Sequence, residues 1–179
     1  VVGDVAGSAA AVGGTVTIGA AGAVGGHGSI GGNLNNAAGG TVTPGNSIGT
    51  LTVLGNYTQA SDSTLAIELN GTTADRLAIT GNASLAGTLT NTFDPSASYV
   101  SRAYRIIDAA AVTGTFGTVT YPNAPSNFIV STRYSANAVD VLLVAPVDTT
   151  LPTAVTGSLL NASQRRNNDL LRRLGGGFP

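Results

Sequence analysis

Cysteine and lysine are absent from this chain, and charge of either sign is scarce. Without cysteine there is no disulfide framework and no thiol-ligated metal site. The same absence suits a chain that crosses an oxidising space unfolded, where a premature disulfide would block a narrow exit. Eight basic residues, all arginine, stand against nine acidic ones and leave a net charge of −1. That balance excludes the electrostatic footprint of a nucleic-acid or anionic-membrane binder. Aromatic residues make up only 5%, so aliphatic side chains must fill the core. No uninterrupted apolar run approaches the ~20 residues that span a bilayer, and no basic-then-apolar signal segment opens the chain. The 179 residues are expected to be a stretch of a longer precursor, with Val1 a processing boundary.

What is abundant is threonine, asparagine and glycine around short aliphatic segments. The phrase Gly-Thr-(Val/Leu)-Thr begins at Gly14, Gly40, Gly49, Gly87 and Gly117. Its uneven intervals suggest a degenerate repeat built from one structural unit. From Thr64 to Leu69 the pattern alternates, which places Leu65, Ile67 and Leu69 inward and Thr64, Ala66 and Glu68 outward. Leu77, Ile79, Leu85 and Leu89 continue the two-residue period. Strands are predicted at residues 15–18, 41–43, 50–54, 64–69, 76–80 and 84–91, with a weaker one at 29–34. Pro44-Gly45-Asn46, Asn70-Gly71 and Gly81-Asn82 supply the corners. A single coil of this kind buries too few aliphatic side chains to offset the entropy of ordering it, so stability must come from stacking.

Most of the aromatics, Tyr99, Tyr104, Phe116, Tyr121, Phe128 and Tyr134, follow Asp94-Pro95. Longer strands are predicted there at residues 104–108, 114–120, 127–134 and 138–144. This region reads as a cap closing the open end of a solenoid. A Pro/Thr/Asp linker at 146–152 leads to a predicted helix over 158–174, where Leu159 and Leu160 recur as Leu170, Leu171 and Leu174. Arg172 and Arg173 near its C-terminus and Gly175 after it supply the stop.

Several motifs carry possible chemistry. Gly45-Asn46-Ser47-Ile48-Gly49 matches the G-x-S-x-G nucleophile elbow, which needs a strand before the serine and a helix after it. Pro44 instead marks a corner and Thr50–Leu54 is strand-like. The lone histidine, His27, has no local reason to lie near Ser47. Gly26-His27-Gly28-Ser29-Ile30-Gly31 matches G-x-G-x-x-G, yet Gly31-Gly32-Asn33 cannot start the helix a dinucleotide site requires. His27 lacks nearby ligand partners for a metal. Asp62, Glu68, Asp75 and Asp94 could pair as acid and base or hold calcium on a flank. Asn56-Tyr57-Thr58, Asn70-Gly71-Thr72, Asn82-Ala83-Ser84 and Asn161-Ala162-Ser163 fit the glycosylation acceptor pattern. These motifs lead to no catalytic, cofactor or metal residue, and the chain is expected not to be an enzyme and to need no cofactor.

The run Gly40-Thr41-Val42-Thr43-Pro44-Gly45-Asn46-Ser47-Ile48-Gly49-Thr50-Leu51-Thr52-Val53, followed by Gly55-Asn56-Tyr57-Thr58-Gln59, resembles the C-terminal passenger region of bacterial autotransporters. Ser63–Asn70, Asp75–Gly81 and Ala83–Thr90 extend the resemblance, which covers roughly Gly39 to Val144. It implies an all-β fold: a right-handed parallel β-helix with a C-terminal β cap, followed by a short linker α-helix. The implied division is 1–92 for the coils, 93–146 for the cap or autochaperone region, and 147–179 for the linker and helix. The implied partner is the protein's own outer-membrane barrel, which is not in this chain. The implied location is the bacterial cell surface or outer membrane, or release after cleavage. The implied role is that of a stalk and folding seed during type V secretion. An adhesin or self-association surface is the alternative, engaging other copies or a host surface, and a polysaccharide-acting enzyme is a third. Some family members cut themselves at an Asn-Asn pair in the linking helix, and Asn167-Asn168 occupies a comparable place.

Overall fold

The computed structural model describes residues 1–5 and 10–146. Seventeen short strands alternate with sharp corners and wind through three sheets, A, B and C, again and again. β1 (Ala11–Val12) lies in sheet A. The first complete turn runs β2 (Val16–Ile18) in B, β3 (Ala23–Gly26) in C and β4 (Ser29–Ile30) in A. The second is β5 (Leu34–Asn36), β6 (Thr41–Pro44) and β7 (Thr50–Val53). The third is β8 (Tyr57–Gln59), β9 (Thr64–Leu69) and β10 (Arg76–Ile79). The fourth is β11 (Asn82–Leu85), β12 (Thr88–Phe93) and β13 (Arg102–Asp108), and β14 (Ala111–Gly114) and β15 (Thr118–Thr120) add a further rung to B and C. Every strand-to-strand ladder between these turns is parallel. The chain is a parallel β-helix, all-β throughout the described residues. The predicted helix at 158–174 lies outside them.

Register explains the repeated phrase. Val24, Val42, Leu65, Leu89 and Val119 stack as one inward column of sheet C, flanked by the outward column Ala23, Thr41, Thr64, Thr88 and Thr118. The phrases at Gly40, Gly87 and Gly117 open strands of sheet C, that at Gly49 opens β7 in A, and that at Gly14 precedes β2 in B. One motif therefore marks corner-to-strand junctions on all three faces, which is why its spacing is irregular. Leu65, Ile67, Leu69, Leu77, Ile79, Leu85 and Leu89 are all buried, with Leu65, Leu77 and Leu89 fully so.

Three predicted strands are each broken in two. The stretch 29–34 divides at residues 31–33, with β4 in sheet A and Leu34 opening β5 in sheet B. The stretch 84–91 divides at residues 86–87 between sheets B and C, because Gly87 turns with φ +67° and packs against Ala60 and Ser63 carbonyls. The stretch 114–120 divides in the same way at the same corner one turn later.

The three corners differ in what holds them. At the corner from A to B, the Asn56 N–H donates to Asn33 Oδ1 at 2.9 Å and the Asn82 N–H donates to Asn56 Oδ1 at 2.8 Å. A Cβ on Gly55 would lie 2.5 Å from Asn33 Oδ1, so the residue before each laddered asparagine must lack one. At the corner from B to C, polar side chains inside the coil satisfy the turning backbone. Asn36 Nδ2 donates to Thr64 O at 2.9 Å, and Gln59 Nε2 donates to Ser63 O at 3.2 Å and Thr88 O at 3.0 Å. Tyr57, buried beside them, donates its hydroxyl to Gln59 Oε1 at 2.6 Å.

The corner from C to A lengthens along the chain, from residues 27–28 through 45–49 and 70–75 to 94–101 and 121–128. Stacked partners consequently drift apart in sequence: Thr17 and Asn35 are separated by 18 residues, Thr90 and Thr120 by 30.

Sheet A ends differently from B and C. β16 (Ile129–Tyr134) and β17 (Ala138–Val144) form a hairpin, and β17 pairs antiparallel with β13. The hairpin turn reaches over β14, where Val112 N–H donates to Ala136 O at 2.8 Å and Ala109 N–H to Asn137 O at 2.9 Å. The Tyr134 ring packs 6.3 Å from Phe116, whose N–H donates to the Tyr134 hydroxyl at 3.3 Å. Across the outer face of sheet A runs an ionic ladder: Arg76–Asp108 at 2.5 Å, Arg105–Asp108 at 3.4 Å, and Arg105 and Arg133 on Asp140 at 2.8 Å each. Three of the four arginines among the described residues belong to it, and the fourth, Arg102, lies over the Tyr104 ring at 5.1 Å.

Candidate functional site

The lengthening corner between sheets C and A gathers most of the motif residues. His27, the 45–49 loop, Glu68, Asp75 and Asp94 all belong to it, on successive turns. His27 lies directly beneath the elbow-like loop. Its Nε2 accepts the Asn46 N–H at 3.3 Å, and its ring occupies the space a Cβ on Gly49 would need. Winding thus brings together Ser47 and His27, which sequence alone gave no reason to associate. They form no nucleophile–base pair, because the Nε2 lone pair is committed to a backbone amide. The strand–serine–helix arrangement is also absent: β6 ends at Pro44, a bend follows, and β7 begins at Thr50.

Asp75 is sealed behind this loop at 2% exposure. Its Oδ1 accepts the Gly49 N–H at 2.9 Å and its Oδ2 accepts the Glu68 N–H at 2.8 Å. Burial pushes its carboxyl up to about 7; the two backbone donors oppose the shift and the neighbouring Glu68 charge adds to it. With both oxygens occupied by backbone N–H groups and the residue almost wholly buried, Asp75 is a clamp between adjacent turns.

Glu68 is exposed on β9 and stacks directly on Thr92 of β12. Asp94 accepts the Ser96 hydroxyl at 2.7 Å and its N–H at 2.8 Å, and these bonds hold its carboxyl below the ordinary range. Asp62 lies at the opposite corner, between B and C, where its carbonyl accepts the Gly39 N–H. Of the four carboxylates, then, three share a corner and one does not. Among the described residues no three metal-ligating side chains converge.

The acceptor-pattern asparagines have structural tasks as well. Asn56 and Asn82 belong to the ladder, and Asn70 Oδ1 accepts the Thr72 and Thr73 N–H groups at 2.9 and 2.8 Å. Asn161 and the Asn167-Asn168 pair lie outside the described residues.

No protein-family model matches this chain, and neither does any curated protein. Chemistry must therefore be read from the corner itself. Two cavities of about 300 and 310 Å³ open there side by side, sharing Ser47, Glu68 and Thr92. The first extends to Asn70, Asp94, Pro95 and Asn123, the second to Thr43, Asn46 and Asp75. Neither contains a basic residue. No helix among the described residues is long and apolar enough to cross a membrane.

Two features escaped sequence reasoning. The repeated dipeptide Gly-Asn at 32–33, 55–56 and 81–82 is a visible signal for the ladder. The cavity pair has no such signal, because its residues come from different turns.

Proposed function

We propose that this chain is the C-terminal part of an autotransporter passenger, a non-catalytic stalk and folding seed displayed at the bacterial surface. The observation that carries this reading is the asymmetry of the solenoid. Its turns are uniform parallel rungs held chiefly by their neighbours, whereas one end is closed by an antiparallel hairpin with its own aromatic packing and ionic ladder. Rungs of this kind need a stable surface on which to form, and the hairpin end offers one. Its partner would be an outer-membrane barrel, and its place the cell surface or, after cleavage, the medium.

The test removes residues 104–144. The remaining coils should become protease-sensitive, and coils that stay resistant would refute the seed. A second reading, self-association, is favoured by the outward column of sheet C, where Thr41, Thr64, Thr88 and Thr118 stand in register. Such a face can zip to another copy through hydroxyl hydrogen bonds. Concentration-dependent sedimentation would support that reading, and a monomer at all concentrations would remove it.

A further inference from the structure

We infer that the groove at the corner between sheets C and A is a binding site for a neutral oligosaccharide. Four successive turns each contribute one polar side chain to it: Ser47, Glu68, Thr92 and Asn123. At the ordinary inter-strand spacing of about 4.8 Å these four span roughly 14 Å, room for a short run of sugar rings. The two joined cavities are each at the lower end of ligand-pocket volumes.

Backbone strain points to the same place. Among the described residues only Ala21, Ser47 and Asn123 are non-glycine residues with positive φ, at 58°, 110° and 58°. Two of these three stand at opposite ends of one cavity. Strain of this kind persists where surrounding structure over-determines it, and it concentrates at ligand clamps. The wall that faces Ser47 is fixed independently: Ser96 pins Asp94, and the Tyr99 hydroxyl donates to Leu69 O or Asp94 O, each at 3.0 Å. The groove is thus preformed.

The lining selects the ligand. Glu68, Ser47, Thr92 and Asn123 make no side-chain hydrogen bond within the described residues, leaving a carboxylate, two hydroxyls and an amide free. A carboxylate accepts from two adjacent ring hydroxyls at once, and charge-assisted bonds of that type are the strong ones. With Glu68 and Asp94 in the lining and no basic group, an anionic sugar is repelled. A peptide is disfavoured because the strands of sheet C are already paired on the groove floor, so no edge is open for strand addition.

The full chain would be titrated by ligand-observed NMR against linear neutral tetrasaccharides of glucose, mannose, galactose and N-acetylglucosamine. A tetragalacturonate and an acetylated tetralysine serve as the anionic and peptide arms. At least one neutral tetrasaccharide should bind, with Glu68→Gln weakening it about tenfold or more. N123G keeps the left-handed backbone while removing the amide, so it too should weaken binding without loss of fold by circular dichroism. Failure of all four neutral ligands, tighter binding of either other arm, or unchanged affinity in both folded variants would overturn the site.

Discussion

Asn56 works in two directions along its corner, donating its N–H to the asparagine of the turn before and accepting from that of the turn after. Because its side chain fills the space beside Gly81, Gly81→Ala should cost about 1–3 kcal/mol, the usual penalty for forced overpacking. Asn56→Ala, at an exposed corner, should cost about 0.5–1.5 kcal/mol; urea denaturation measures both. Titration separates two buried carboxylates. Burial pulls the Asp140 carboxyl up, but hydrogen bonds from Arg133 and Arg105, and their charges, win and hold it below its ordinary value. The folded protein therefore releases that proton more readily, so its stabilisation is present above about pH 3.9 and lost as pH falls through the lower folded value. Asp75 has the opposite sign. Its folded value of about 7 exceeds the ordinary 3.8, so its contribution is complete below that ordinary value and fades as pH rises toward 7. The urea midpoint of Asp75→Asn should lack this decline between about pH 4 and 7, while Asp140→Asn should lack the acid loss. A wild-type slope retained in both variants would show that other groups set it.

The strand is the scale at which sequence was most informative. The stretch Thr64–Leu69 and the hairpin strand Ala138–Val144 have the bounds that alternation and turn residues predict. β3 escaped because it consists of Ala23-Val24-Gly25-Gly26, a strand by virtue of pairing with β6 and not of propensity. β8 escaped because Gln59 points inward to satisfy corner carbonyls, and a buried glutamine hides the alternation. The site was less legible still. Ser47 and Glu68 were visible as motif and carboxylate, but their meeting with Thr92 and Asn123 depends on the length of each turn. Register has a direct test. Leu65→Ala, in the inward column, should cost about 2–5 kcal/mol, whereas its outward neighbour Thr64→Ala should stay within about 0.5 kcal/mol. Equal effects would mean that the strand does not face as described.

For the whole molecule, the consequential property is unequal stability along the solenoid axis. Each parallel rung depends on its neighbours, and the Leu65–Leu89 column is continuous from Val24 to Val119. The hairpin end adds what the rungs lack: antiparallel pairing, aromatic cover over the last turn, and Asp140 held by two arginines with its side chain only 4% exposed. If that end is the seed, local opening must begin far from it and reach it last. Native-state hydrogen exchange across a gentle denaturant series measures this residue by residue. The amides of β13 and β17 are expected to keep their protection longest, with β2 to β6 opening at lower denaturant. Coils that remain protected after β13 and β17 have exchanged would contradict a solenoid built upon its cap.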